Sequence, residues 1–285
     1  MGLAMVERPA EFPSSTTRFC GLIGDPVEHS RSAILHNAGY QALGLDIAYG
    51  AFKVREGEVP AAISGARSLG FLGLSVTMPH KLAAAAACDQ ASAEVEALAA
   101  ANTVVFRGGV ATALNTDGAG FVEDLERNVG LELDTLSVCV IGAGGAARAV
   151  IYALGSAGVR SLVVVNRDEA RAEFAASLAP QARVGAIAQA SDADLVVHAT
   201  PLGMGATVTE DEAAAIAALA APLGAGQFLV DLIVTVETTP LMAAAEAKGA
   251  RVRNGLGMLV HQATRQFELF TGYSAPVEAM WAAVA

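Results

Sequence analysis

The stretch VCVIGAGGAARAV, Val138 to Val150, decides the fold. The apolar run Leu136 to Ile141 reads as a buried strand, and the segment from Ala146 onward reads as a helix. Between them Gly142, Gly144 and Ala147 fall at the three small-residue positions of a dinucleotide fingerprint. The first glycine permits a tight turn, the second lets backbone approach a pyrophosphate, and the alanine lets helix pack on strand, while unpaired N–H groups face the anion. Gly142, Ala143, Gly144, Gly145 and Ala146 are therefore candidate cofactor contacts. The competing reading is an ordinary glycine-rich turn, and the strand-then-helix context favours the fingerprint.

The composition supports a packed α/β chain. Of 285 residues, 53% are hydrophobic and 16% charged, which excludes a disordered polymer and fits buried parallel strands. The length suits one large domain or two moderate ones, and the motifs favour two. With 18 Lys and Arg against 29 Asp and Glu the formal net charge is −11, so neither nucleic acid nor an anionic membrane is an expected partner. An anionic ligand must then be held by local cations. Cys20, Cys88 and Cys139 are widely spaced and read as reduced thiols, Cys20 and Cys139 in the core. No Cys/His cluster has metal-ligand spacing, so no metal is expected. Residues 1–17 lack the apolar core of a signal peptide and are expected to be disordered, and no apolar stretch is long enough to span a bilayer. A soluble cytoplasmic protein is the simplest setting.

Strands and helices alternate from the first apolar run, Phe19 to Ile23, through a second strand at Ile47 to Val54 and a helix at Ala61 to Phe71, so a parallel layered arrangement is expected. Ser30 and Ser32 stand at the start of the first helix, where each reads equally as a cap or as a ligand contact. A third strand carries GLSVTMPHK, Gly73 to Lys81. Pro79 suits the first turn of the following alanine-rich helix and puts Lys81 at that helix's positive end, where an ammonium is disfavoured and proton transfer is favoured. The alternative is a surface lysine. Two β-rich runs joined at Gly108-Gly109 follow, with Asn102 and Asp117 at their polar margins. Asp117 reads either as a helix cap or as a site residue at a strand end.

Beyond Gly130 the pattern restarts as a doubly wound unit. Its strands are Leu136 to Ile141, Ser161 to Val165, Ala182 to Ile187, Ala193 to His198 and Gln227 to Ile233. Helices begin at Ala146, Asp168, Glu210 and Thr239, and Gly203 to Gly205 break the pattern at a ligand-facing loop. The second of these strands ends in Asn166 and Arg167 where an NAD site would place an acid. Arg167 and Arg171 suit a 2′-phosphate and so favour NADP. Asp168, one residue late, suits a 2′-hydroxyl instead and leaves NAD as a second option. Two helical stretches, Gly257 to Phe270 and PVEAMWAAVA, close the chain and are expected to pack on the first unit.

Taken in order, these residues resemble shikimate dehydrogenase. The matching segments are Ser30-Arg31-Ser32 with His36-Asn37, SVTMPHK (Ser75 to Lys81), Asn102-Thr103-Val104, Asn115-Thr116-Asp117, GAGGAA (Gly142 to Ala147), Asn166-Arg167, ATPLGM (Ala199 to Met204) and GLGMLVHQA (Gly255 to Ala263) followed by FELFTG. The resemblance implies an α/β fold of two domains. Residues 17–117 with 256–285 would form an α/β substrate domain completed by the C-terminal helices, and 118–255 a Rossmann-like doubly wound NADP domain. It implies reversible NADPH-dependent reduction of 3-dehydroshikimate to shikimate, with Lys81 and Asp117 as the catalytic pair. Ser30 and Ser32 would hold the substrate carboxylate; Thr77, Asn102 and Gln262 would meet ring hydroxyls. Thr200, Leu202, Met204, Leu232, Gly255 and Met258 would lie along the cofactor with Asn166, Arg167, Asp168 and Arg171. A small-molecule substrate, with a monomer or homodimer, completes the expectation.

Three positions depart from the family pattern: Ser75 and His198 where asparagine is usual, and Val234 where tyrosine is usual. Loss of that tyrosine removes a substrate-carboxylate contact. His198, at the end of an apolar strand, is expected to be a hydrogen-bonded structural histidine. Two rival functions remain: an NAD-using quinate/shikimate dehydrogenase, or a paralogue taking a modified shikimate, and a non-enzymatic NADP-responsive binding protein.

Overall fold

Residues 13–205 and 207–284 are described by the computed structural model. Residues 1–12, the greater part of the expected N-terminal tail, lie outside the described residues. The remainder of that tail is held, in contrast to the expectation: the hydroxyls of Thr16 and Thr17 donate to the Asp46 carboxylate at 2.7 and 2.6 Å.

The chain first runs through β1 (Arg18–Gly24), α1 (Ser32–Ala42), β2 (Ile47–Lys53), α2 (Val59–Ser68), β3 (Gly73–Val76), α3 (Lys81–Ala87), β4 (Gln90–Ala91), α4 (Ala93–Leu98), β5 (Thr103–Arg107) and β6 (Val110–Leu114). These strands form a six-stranded sheet in the order β2-β1-β3-β5-β6-β4. It is mixed rather than parallel. β1 runs parallel to β2 and β3, but β5 is antiparallel to both β3 and β6. The reason is local: Gly108 and Gly109 both take positive φ, +57° and +82°, and a two-residue turn of that shape returns the chain alongside itself.

A second sheet follows. α5 (Asp117–Asp124), continued by a π-helical turn over Leu125–Val129, leads into β7 (Ser137–Ile141), α6 (Gly145–Ser156), β8 (Ser161–Val165), α7 (Glu169–Ala176), β9 (Ala182–Val184), β10 (Leu195–His198), α8 (Glu210–Ala220), β11 (Phe228–Asp231), α9 (Pro240–Glu246) and β12 (Arg251–Asn254). The order is β12-β11-β10-β7-β8-β9 with every pair parallel, a doubly wound sheet. Side chains alternate faces along each strand. Val138 and Val140 accordingly join Leu162, Leu195 and Val230 in one core with α6, while Cys139 and Ile141 join Val196 and Leu229 in another with α8 and α9.

The sequence indicates five strands here, and the sheet has six. β12 reads RVRN, with two arginines and one apolar residue, a pattern that an edge strand tolerates because one side faces water. The run expected as a strand from Ala182 to Ile187 ends at Val184, and Ile187–Asp192 forms a 3-10 segment.

α10 (Leu256–Thr271) and α11 (Val277–Ala282) then return to the first sheet, where Phe267, Phe270 and Met280 pack with Cys20, Leu35 and Tyr40. The thiols are unpaired, and burial pushes Cys20 up to about 11 and Cys139 up to about 12. Among the described residues no helix is long and apolar enough to cross a membrane.

Candidate active site

β3 ends at Val76, and residues 77–80 turn the chain into α3. The turn is tied down from two sides: Thr77 N–H donates to Ile23 O at 2.9 Å, and the buried His80 ring places Nε2 2.7 Å from Val54 O. Pro79 sits in this turn rather than in the helix's first turn as the sequence suggests, and Lys81 is the first helical residue. Its backbone carbonyl accepts from Ala101 N–H at 2.8 Å, which lays α3 beside the start of β5.

Asp117 arrives from the other direction. Thr116 is the capping residue of α5, so Asp117 is not the cap, and its carboxylate is free for other partners. One oxygen meets Lys81 Nζ at 2.5 Å and the other accepts from Asn102 Nδ2 at 2.8 Å. The side chains are 16% and 7% exposed, so the ion pair is largely shielded from open solvent. The carboxylate offsets the cost of placing an ammonium at the positive end of α3, and α5's own positive end favours the carboxylate.

Asn102 organises the polar wall around this pair. Its amide donates to Asp117, to Thr116 Oγ1 at 2.9 Å and to Gln262 Oε1 at 3.3 Å, while its carbonyl accepts from Thr116 N–H at 2.8 Å and Thr103 Oγ1 at 2.7 Å. Gln262 reaches it from α10, so the helix that returns from the second sheet completes the site built by the first. Gly120 permits that crossing, since a Cβ there would stand 2.5 Å from Gln262 N.

Gln266, one turn beyond Gln262, was not singled out from sequence. It accepts from Ser75 Oγ at 2.7 Å and donates to Asn102 O and to Thr103 Oγ1. Two glutamines at i and i+4 on a helix face otherwise apolar form the sequence signal that points to it. Thr77 and Ser30 are half-buried; the capping position of α1 is Arg31, so neither serine is the cap, and Ser30 Oγ accepts from Ser32 N–H at 3.2 Å in a local turn just before the helix.

The dinucleotide turn lies at the neighbouring end of the second sheet. β7 and β10 are adjacent although three strands apart in sequence, which makes the crevice beyond their C-terminal ends the switch point where doubly wound sheets hold ligands. Gly142 opens the turn at φ +124°, and a Cβ there would stand 2.7 Å from Ala199 O, so the backbone cradle exists only with glycine. Ala143, Gly144, Gly145 and Ala146 follow into α6, and Thr200, in the loop after β10, lies beside the turn with Cγ2 3.3 Å from where a Cβ on Gly142 would stand; Leu202 and Met204 follow in the same loop, Leu202 packed on the core formed with α8 and α9. Gly255 packs on the Leu232 backbone and Met258 is buried behind it.

Asn166 and Arg167 follow β8, and Gly142 N–H donating to Val165 O at 2.8 Å joins them to the turn. Arg167 is exposed. Asp168 has a different job from the one its position suggests: it caps α7, accepting from Arg171 N–H at 3.0 Å, and its other oxygen pairs with the Arg171 guanidinium at 3.3 Å. His198 is fully buried and hydrogen-bonded, as expected.

Comparison with known proteins covers the same ground. Residues 22–104 match the model of the shikimate dehydrogenase substrate binding domain, 124–244 that of shikimate / quinate 5-dehydrogenase, and 255–285 that of the shikimate 5'-dehydrogenase C-terminal domain. A shikimate dehydrogenase (NADP(+)) of Methanopyrus kandleri is 40% identical over 280 residues, 94% of this chain and 95% of its own. A solved shikimate dehydrogenase in complex with NADP+ has a TM-score of 0.85 at 31% identity, covering 96% of each chain. The Thermus thermophilus enzyme in complex with NADP(H) and shikimate has a TM-score of 0.83 at 32% identity, covering 94% of this chain and 98% of its own. Matched from its first sheet through its second and into the closing helices, the chain belongs to the shikimate dehydrogenase family.

Proposed function

We propose that this chain catalyses the reversible NADP-dependent interconversion of shikimate and 3-dehydroshikimate. The observation that carries the reading is the Lys81–Asp117 pair, 2.5 Å apart and half-enclosed beside the dinucleotide turn. NADPH, when bound, supplies the hydride. As the substrate carbonyl is reduced, negative charge grows on its oxygen; the Lys81 ammonium stabilises that charge and delivers the proton. In the reverse direction Lys81 takes the proton from the hydroxyl. Asp117 holds Lys81 in place and accepts from a ring hydroxyl, and Asn102 fixes the carboxylate through its second oxygen.

Ser30 and Ser32 would bind the substrate carboxylate, with Thr77, Asn102 and Gln262 on the ring substituents. Residues 17–117 with 256–285 would act as the substrate unit and 118–255 as the dinucleotide unit. The backbone cradle at Gly142 fits a pyrophosphate. NADP is favoured over NAD because the Asp168 carboxylate is spent on capping α7, which leaves exposed Arg167 to meet a 2′-phosphate. With three unpaired cysteines and reducing chemistry, the activity fits the cytoplasm. The test is kcat/KM for shikimate and for quinate with each cofactor. The highest value is expected for shikimate with NADP+, and better turnover of quinate with NAD+ would overturn the choice.

A further inference from the structure

His198 ends β10 in register with Asp231 on β11 and Ile141 on β7, so it stands at the floor of the dinucleotide crevice with no exposed surface. Its ring is bonded at both nitrogens. Nδ1 lies 3.0 Å from Asp231 Oδ1, and Nε2 lies 2.5 Å from Thr200 Oγ1.

The surrounding donors decide how the protons are arranged. Asp231 is an acceptor toward its other neighbours: Ile233 N–H donates to Oδ1 at 3.2 Å, and the Thr239 hydroxyl donates to Oδ2 at 2.6 Å. Thr239 Oγ1 in turn accepts from Met242 N–H at 3.1 Å, which turns its proton toward Asp231. A carboxylate so placed accepts from His198 Nδ1–H, and the tautomer that carries its proton at Nδ1 presents a lone pair at Nε2. The Thr200 hydroxyl must donate to that lone pair. Its oxygen already accepts from Leu202 N–H at 3.3 Å, which leaves one acceptor site. Thr200 is partly exposed beside the pyrophosphate turn, and a Cβ on Gly142 would stand 3.3 Å from Thr200 Cγ2.

We propose that His198 is a positioning residue for the dinucleotide: by turning the Thr200 proton inward, it presents the Thr200 oxygen to the crevice as an acceptor for one donor of the cofactor, the carboxamide N–H or a ribose hydroxyl. The inference rests on the crevice being the dinucleotide site. With its proton turned inward the Thr200 hydroxyl offers a phosphate oxygen no donor, so the arrangement sets where along the crevice the uncharged parts of the cofactor come to rest.

The test is titration of the purified full-length protein with NADPH, followed by its fluorescence. In His198→Asn the shorter amide keeps the Asp231 bond and cannot reach Thr200; in His198→Gln the longer amide restores that reach. His198→Asn is expected to weaken NADPH binding roughly tenfold, the worth of one neutral hydrogen bond, with the KM for shikimate unmoved at saturating cofactor. His198→Gln is expected to recover most of the loss. Thr200→Val should match His198→Asn, and the double variant should be no weaker than either, because one contact has been removed once. The acetylpyridine analogue of NADPH, which lacks the carboxamide N–H, separates the two donors: Thr200→Val spares its binding if the carboxamide is the partner and weakens it if the ribose is.

A purely structural role would lower the melting temperature of the His198 variants and leave NADPH affinity alone. Unchanged affinity in Thr200→Val, which keeps the buried ring in place, overturns the proposal even if His198→Asn does not fold. Losses that multiply in the double variant overturn it as well. A wild-type protein that binds no NADPH would instead overturn the dinucleotide reading and this inference with it.

Discussion

The aliphatic stem of Lys81 crosses Gly145, the first residue of the helix that follows the dinucleotide turn, so closely that a Cβ on the glycine would stand 3.2 Å from Lys81 Cδ. The lysine proposed for proton transfer, on the first sheet, thus packs against the glycine turn of the second. Gly118, next to Asp117, repeats the contact: its backbone lies against Ala149 in the same helix, in place of any side chain. Both members of the proposed catalytic pair are therefore registered on α6.

Gly145→Ala should separate stability from turnover. Alanine is the better residue in a helix by about 0.5–1 kcal/mol, so the melting temperature should hold or rise. The added methyl pushes the lysine stem by a few tenths of an ångström, and kcat should fall roughly tenfold or more, since reacting groups tolerate little misplacement. Steady-state kinetics beside a thermal melt reads both; an unchanged kcat would refute the contact's role.

Arg167→Ala should act on cofactor choice alone. A charge-assisted bond to the 2′-phosphate is worth about 1.5–3 kcal/mol, so the KM for NADP+ should rise by roughly ten- to a hundredfold while that for NAD+ stays level. Equal losses with the two cofactors would place Arg167 elsewhere.

Acid sensitivity should trace in part to His36. This ring is fully buried, stacked on Tyr49 with centroids 4.3 Å apart, and burial pulls its pKa from 6.5 down to about 3. Between these values the unfolded chain binds a proton that the folded chain refuses. Stability should therefore fall as pH drops from 6.5 toward 3, by at most about 1.4 kcal/mol per pH unit from this residue. His36→Phe should flatten the urea-midpoint profile below pH 6.5 and leave its shape above that pH unchanged. Parallel profiles for the two proteins would count against the assignment.

The joint between the sheets offers a stability test. Asp124 at the end of α5 accepts from Arg253 Nε at 3.0 Å, from a terminal nitrogen of the same guanidinium at 2.7 Å and from Asn128 at 2.8 Å, and its carboxylate fills the space where Gly257 lacks a side chain. Gly257→Ala must displace that buried carboxylate and should cost about 2–4 kcal/mol in chemical denaturation. Gly65→Ala, in α2 with open space around it, should be neutral or slightly stabilising. Similar effects at both positions would contradict this picture of the joint.

The fold was legible wherever it was local. The dinucleotide turn shows because strand, glycines and helix follow within thirteen residues, and Lys81 and Asp117 show because each stands where a strand gives way to a helix. β12 did not show, since an edge strand of alternating arginines carries no apolar run. The antiparallel half of the first sheet lay hidden behind a correct turn at Gly108-Gly109, because alternation alone gives no strand direction. Gln266 and His36 are marked in the sequence, by the i, i+4 glutamine pair and by the match at His36-Asn37, but their roles are not, because burial gives them their meaning and burial is set by partners far away in sequence. The capping role of Asp168 was readable, standing as it does directly before a helix, but its position after the second strand drew attention to the ribose instead.

The most direct measurement is NADPH formation when shikimate is added to purified protein with NADP+, run beside Lys81→Ala. The wild-type protein should produce NADPH, and the variant, folded and still binding NADPH, should be slower by roughly a hundred- to ten-thousandfold, the usual contribution of a positioned acid or base. A flat wild-type trace in protein that binds NADPH, or a Lys81→Ala variant that turns over at the wild-type rate, would contradict the account.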